Sequence, residues 1–76
     1  MKFEKGIYQH YKGHLIKVIA LVRHTETLEE MVYYKELSIN KDFGKNSLWV
    51  RPLKMFFEDV IVDGKKLPRF KFIKKA

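Results

Sequence analysis

The residues of this 76-residue chain best suited to chemistry are Trp49 and Arg51, two apart in Leu48-Trp49-Val50-Arg51-Pro52. Trp49 is the chain's only tryptophan. Residues two apart on a strand share a face, so the pair makes a platform: a flat group stacks on the indole while the guanidinium holds an anion or a carbonyl. A nucleotide, an RNA base or single-stranded DNA presents both features. The structural alternative makes Trp49 a wall residue and pairs Arg51 with Glu26, Glu29 or Glu58, since an Arg–carboxylate pair can fix a small fold.

A second polar group lies in His24-Thr25-Glu26-Thr27-Leu28-Glu29. Imidazole and carboxylate suit metal binding or acid–base work, so an enzyme using His24 with Glu26 or Glu29 is one function class to weigh. Metal-site spacing is missing, and a polar hairpin turn has the same composition; neither a metal nor a cofactor is expected. Lys12-Gly13 is too short for a phosphate loop, and the chain has no nucleophile elbow or Walker pattern. With Tyr11 and Arg69 placed beside the platform, the expected ligand-binding set is Trp49, Arg51, His24, Glu26, Tyr11 and Arg69.

Charge narrows the partners. The formal net charge is +7, yet residues 1–64 hold ten basic and nine acidic groups, whereas six basic residues and no acids follow from Lys65. A basic end attracts phosphates in a salt-dependent way, or simply keeps the chain soluble. The chain has no cysteine, which excludes a disulfide framework and Cys-based zinc sites. The apolar run Val18 to Val22 is too short to span a bilayer, and Met1 to Gly6 lacks an apolar signal region. A cytoplasmic protein without a membrane role is therefore expected.

Positioning the platform requires a small, dense fold. This length supports one domain, taken as residues 1–76, and its six Phe, four Tyr and one Trp supply the apolar area that a short chain needs. Gly6 to Tyr11 reads as a short strand with Tyr8 and His10 on one face. His14 to His24 is the clearest strand, with Ile16, Val18, Ala20 and Val22 on one side and Leu15, Ile19 and Leu21 on the other, as in a central strand covered on much of both sides. Met31 to Leu37 admits two readings, a helix capped by Thr27 and Glu30 or a strand; the β-propensity of Val32-Tyr33-Tyr34 favours the strand.

Ser38 to Ser47 collects Asn40, Asp42, Gly44 and Asn46 and reads as a loop. Leu48 to Arg51 is then a strand stopped by Pro52, with Leu48 and Val50 set toward the core, and Pro52 to Phe57 suits a single helical turn that buries Leu53 and Phe56 or Phe57. Met55 is also assigned to packing. Val60-Ile61-Val62, the Asp63-Gly64 turn and Lys66 to Ile73 finish the pattern, with Pro68 marking a sheet edge. Five or six short antiparallel strands in so few residues predict an all-β fold, a small SH3-like barrel or roll, because closing the sheet covers both its apolar face and its edges.

Several spaced motifs agree with one family. Gly6-x-Tyr8-x-His10-Tyr11-Lys12-Gly13, Ala20-x-x-x-His24-Thr25-Glu26-Thr27-x-Glu29, Val32-x-Tyr34-x-x-Leu37, Trp49-Val50-Arg51-Pro52-x-x-Met55-Phe56 and Pro68-Arg69-Phe70 together resemble the small bacterial domain of unknown function 1653. The resemblance covers nearly the whole chain. It implies a compact SH3-type barrel in the bacterial cytoplasm, supports a strand over Met31 to Leu37, and carries over no settled activity. The chain departs from the family in a longer Ser38–Ser47 loop and in Ser38, where the family usually has a second aromatic.

The leading functional expectation is a non-enzymatic binding module for a polar, anionic or nucleobase-containing ligand, such as RNA, single-stranded DNA or a nucleotide. The alternative is a protein–protein interaction adaptor, a monomer or weak homodimer that pairs through an edge near Lys66 to Ile73.

Overall fold

In a computed structural model, which describes residues 3–75, the chain forms seven strands and one helical turn. β1 (Gly6–His10), β2 (Leu15–Arg23), β3 (Glu30–Glu36) and β4 (Leu48–Pro52) run as an antiparallel meander, and α1 (Leu53–Phe56) follows. β5 (Asp59–Val62) and β6 (Lys65–Pro68) make a hairpin, and β7 (Phe70–Lys74) returns to β1. The all-β class, the strand over Met31 and its successors, and the single turn after Pro52 are what the sequence indicates. The segment from Lys66 to Ile73 divides at Arg69 into β6 and β7, which raises the strand count to seven.

The pairings give a five-stranded sheet in the order β4-β3-β2-β1-β7 and a separate β5-β6 ribbon. The sheet is therefore a roll and not a closed barrel. Its two edges, β4 and β7, approach each other across the concave side, where the Arg51 guanidinium lies 5.6 Å from the centre of the Phe70 ring.

Cross-strand partners share a face, so the register assigns the concave side. Tyr34 stands opposite both Val18 and Trp49, Val32 opposite Arg51, Ile16 opposite both Glu36 and Tyr8, and His10 opposite Phe70. The core of this side is Tyr8, Ile16, Val18, Val32, Tyr34, Phe56 and Phe70, with Trp49, Leu53 and Phe57 packed against it. Phe56 descends from α1 onto the sheet, fully buried, and stacks on Phe70 at 4.4 Å with the ring planes 7° apart. The buried Tyr8 hydroxyl donates to the Glu4 carbonyl at 2.7 Å, so the core keeps that polar group satisfied.

Three placements differ from the sequence reading. Leu48 and Val50 face outward and are 54% and 53% exposed, because Trp49 and Arg51 take the concave side of β4. Met55, on the outer side of α1, is exposed as well. The second face of β2 is uncovered at Leu15, and a register shift between Val18 and Ala20 swaps which residues point inward beyond it: Leu21 stands opposite Val32 on the concave side and Val22 opposite Met31 on the outer side, both exposed. Among the described residues no helix is long and apolar enough to cross a membrane.

Candidate functional site

Parity along five strands builds one cleft. β4 contributes Trp49 and Arg51, β3 contributes Tyr34 and Glu36, β1 and β7 contribute His10 and Phe70, and Ile16 with His14 closes the end where β2 begins. The cleft encloses about 260 Å³ and opens to solvent. Its floor is aromatic and aliphatic, and its polar groups are a guanidinium, two imidazoles and a carboxyl group.

Arg51 is half-buried, and its Nε is shut off from solvent with no hydrogen-bond partner. Among the described residues its guanidinium makes no ion pair; its one contact of note is the face of Phe70. The expected pairing with Glu26, Glu29 or Glu58 is not formed. Glu58 instead binds Arg69, Nη2 to Oε1 at 3.2 Å. A guanidinium seated on an aromatic ring, with no carboxylate in ion-pair contact among the described residues, leaves its Nη donors unused by the protein.

Trp49 is held from two directions. Its Nε1–H donates to the Ser47 hydroxyl at 2.8 Å, and that hydroxyl donates to Glu36 Oε2 at 3.4 Å. The Asn40 amide donates to the same carboxylate oxygen at 3.3 Å. Asn40 also ties the long loop into shape, its side-chain oxygen accepting the backbone N–H groups of Asp42 and Phe43. That turn delivers Phe43 edge-on to the indole at 5.2 Å. The loop thus supplies a second aromatic beside Trp49 and orients the carboxylate at the cleft's end.

His10 packs between Tyr11, at 4.5 Å, and Phe70, at 5.0 Å, and its Nδ1 accepts the Lys12 backbone N–H at 3.1 Å. Burial, and after it the nearby charges of His14, Arg51, Arg69 and Lys12, push its pKa below the ordinary imidazole value. At neutral pH the ring is uncharged with its proton on Nε2, the nitrogen left after Nδ1 accepts.

The remaining residues of the expected set lie elsewhere. His24 and Glu26 are in the β2–β3 turn: Arg51 is level with Val32 and Leu21, and His24 lies three residues beyond, about 10 Å along the strands. There the His24 Nδ1 accepts the backbone N–H groups of Glu26 and Thr27 at 3.1 and 3.3 Å, and the His24 backbone N–H donates to the Glu29 carbonyl. The imidazole caps a tight turn and faces neither Glu26 nor Glu29 as an acid–base partner. Among the described residues no three metal-ligating side chains converge.

Arg69 joins the two sheets, its N–H donating to the Glu58 carbonyl and its carbonyl accepting the Tyr11 N–H. Tyr11 lines a neighbouring groove of about 230 Å³ with Gln9, Gly13, Leu67, Pro68 and Lys71, and His10 forms the wall shared with the cleft. The sequence reading missed His14, Glu36, Tyr34 and Phe70 as cleft residues. The signal was their parity: Tyr34 and Glu36 follow Val32 at strand spacing, as His10 follows Tyr8.

The chain matches the family described as protein of unknown function (DUF1653) over residues 6–72. A crystal structure of a member of that family from Bordetella bronchiseptica superposes with a TM-score of 0.87 at 31% sequence identity, covering 99% of this chain and 92% of that one. No curated protein matches the chain.

Proposed function

The chain belongs to the DUF1653 family of proteins of unknown function, and we propose that it is a non-enzymatic binding module whose cleft takes an anionic ligand carrying a flat ring, a nucleotide or a base of RNA or single-stranded DNA. The observation that carries this reading is the unpaired Arg51 guanidinium beside Trp49. A structural arginine in a small fold satisfies its donors within the protein. Here the donors meet an open cleft, and an anion there forms charge-assisted hydrogen bonds in a partly desolvated setting.

The aromatic wall favours a flat ligand over a simple ion, because Trp49, Tyr34 and Phe70 offer π-faces or edges to a ring. Glu36 adds selectivity. A carboxylate accepts from ring or exocyclic N–H groups and repels a second anion, so the ligand's negative charge lies toward Arg51 and its N–H edge toward Glu36.

The test uses Trp49 as its own reporter. Titration of nucleoside monophosphates, with inorganic phosphate and free nucleosides as controls, is expected to change the indole fluorescence saturably for the nucleotides, more weakly for phosphate or nucleoside alone. Absence of any saturable change with all of these would sink the reading.

A further inference from the structure

The outer face of the roll carries a feature that the cleft does not use. One cross-strand row reads Leu48, Lys35, Lys17, Ile7, Lys74 from edge to edge of the five-stranded sheet. Lys17 and Lys35 are directly opposed, with side chains on the same face. Like charges in opposed positions are unfavourable, and a sheet normally separates them or sets an acid between them.

Among the described residues no ion pair relieves that repulsion. No acidic residue stands in the row, and among the described residues neither Lys17, Lys35, Lys74 nor the nearby Lys5 forms an ion pair; the paired cations are Lys66 with Asp59 and Arg69 with Glu58. A hollow of about 380 Å³ lies where the lysines meet, lined by Lys5, Lys17, Val18, Ile19 and Lys35. It coincides with the bulge between Val18 and Ala20, which leaves Ile19 out of the ladder. Tyr33 lies on the same outer face in the next row, half-buried between Ala20 and Val50.

We infer that this outer face is a second binding site, one that holds the phosphate backbone of a single-stranded nucleic acid. Cations converging on a hollow match a chain of phosphodiesters, and an adjacent aromatic face accepts a base whatever its identity. The row spans five strands, about 19 Å at the usual strand spacing, the reach of a few nucleotides. The lysines line one hollow of the sheet beside Tyr33, a shape that a phosphodiester chain with its bases follows, and an anionic membrane is an outcome that the test separates. This inference does not rest on the cleft, since Lys17 and Lys35 point away from Trp49 and Arg51.

The experiment measures binding of a fluorescently labelled single-stranded oligonucleotide by anisotropy over a series of salt concentrations, for the wild-type chain and for Lys17→Gln/Lys35→Gln and Lys17→Glu. Each single-strand phosphate contact contributes about −0.7 to the slope of log K against log salt. The double variant is expected to flatten the slope by about 1.4 while melting no lower than wild type. Lys17→Glu sets opposite charges across the ladder, and is expected to raise the melting temperature and weaken oligonucleotide binding.

The inference is overturned if the wild-type chain does not bind the oligonucleotide, or if the double variant binds it with an unchanged slope. It is equally overturned if the lysine dependence appears with phosphatidylserine vesicles and not with the oligonucleotide. Failure of the nucleotide titration leaves these outcomes readable, because the difference in salt slope between the wild-type chain and the double variant reports the lysines of the outer face alone.

Discussion

Arg51 and Phe70 sit on opposite edge strands of one sheet, yet the guanidinium lies 5.6 Å from the ring centre. The contact exists because the sheet rolls until β4 faces β7 over the shared core residue Phe56. It also leaves the arginine on an aromatic surface, with no carboxylate to neutralise it. Rolling of the fold and availability of the site are thus one geometric fact.

Arg51→Ala is expected to change stability little. Truncation removes a cation–π contact worth about 0.5–1 kcal/mol and some stem packing, but also an unsatisfied buried Nε. Loss of a partner from a buried ion pair would instead cost about 3–5 kcal/mol. Chemical denaturation checks this, and a cost in the higher range would show that Arg51 has a structural role in place of the binding role proposed.

His10 makes the protein pH-sensitive in a defined direction. Its folded pKa is lowered by burial and then by His14, Arg51, Arg69 and Lys12. The unfolded chain therefore takes up the proton first as pH falls, near the ordinary imidazole value of about 6.5. Stability from this group is complete above that value and is lost as pH drops through the lower folded pKa. Thermal melts from pH 7.5 to 5 should show the decline, and His10→Gln should reduce it.

Ligand binding should run the opposite way. An anion beside Arg51 favours the imidazolium of His10, so affinity for a nucleotide is expected to rise between pH 7 and pH 5.5. Glu36, the carboxylate in the cleft, limits the gain on its own side. Titrations at the two pH values check the sign; equal affinities at both would remove His10 from the site.

The faces of β4 and α1 can be read by substitution. Phe56→Ala empties a fully buried site stacked on Phe70 and is expected to cost about 3–5 kcal/mol, enough to unfold a marginal domain. Leu48→Thr and Val50→Thr act on residues more than half exposed and should stay within about 0.5 kcal/mol. A large loss at Val50 would mean that the outer face of β4 is covered by something.

The β5–β6 turn gives a local check. Asp63 and Gly64 both have positive φ, 50° and 75°, as the tight hairpin turn with two left-handed residues requires. Nothing lies within 4 Å of a Cβ added at Gly64, so Gly64→Ala should cost about 1–2 kcal/mol through backbone strain alone. Asp63→Asn should be nearly neutral, since asparagine tolerates that region. Equilibrium denaturation of both variants separates strain from contact loss.

Much of this was legible in the residues because the relevant physics is local. Alternation in Ile16 to Val22, the β-branched and aromatic run at Val32 to Tyr34, the stop at Pro52 and the Asp63-Gly64 turn each constrain a few neighbouring dihedral angles. They determined an all-β chain with one helical turn and put Trp49 with Arg51 on one face of a strand. What they left open was which face looks inward. Leu48 and Val50 are the more apolar pair, yet the register sets Trp49 against Tyr34 and Arg51 against Val32, so the larger amphipathic side chains line the concave side. The bulge after Val18 likewise reverses parity within β2, something that a strict alternation cannot signal. Non-local pairing alone brought His10, Glu36 and Phe70 to the arginine, carried His24 and Glu26 to the far turn, and gave Glu58 to Arg69. Sequence settles what each segment can be; the roll of the sheet decides which side chains meet, because contacts between distant segments follow from register and curvature.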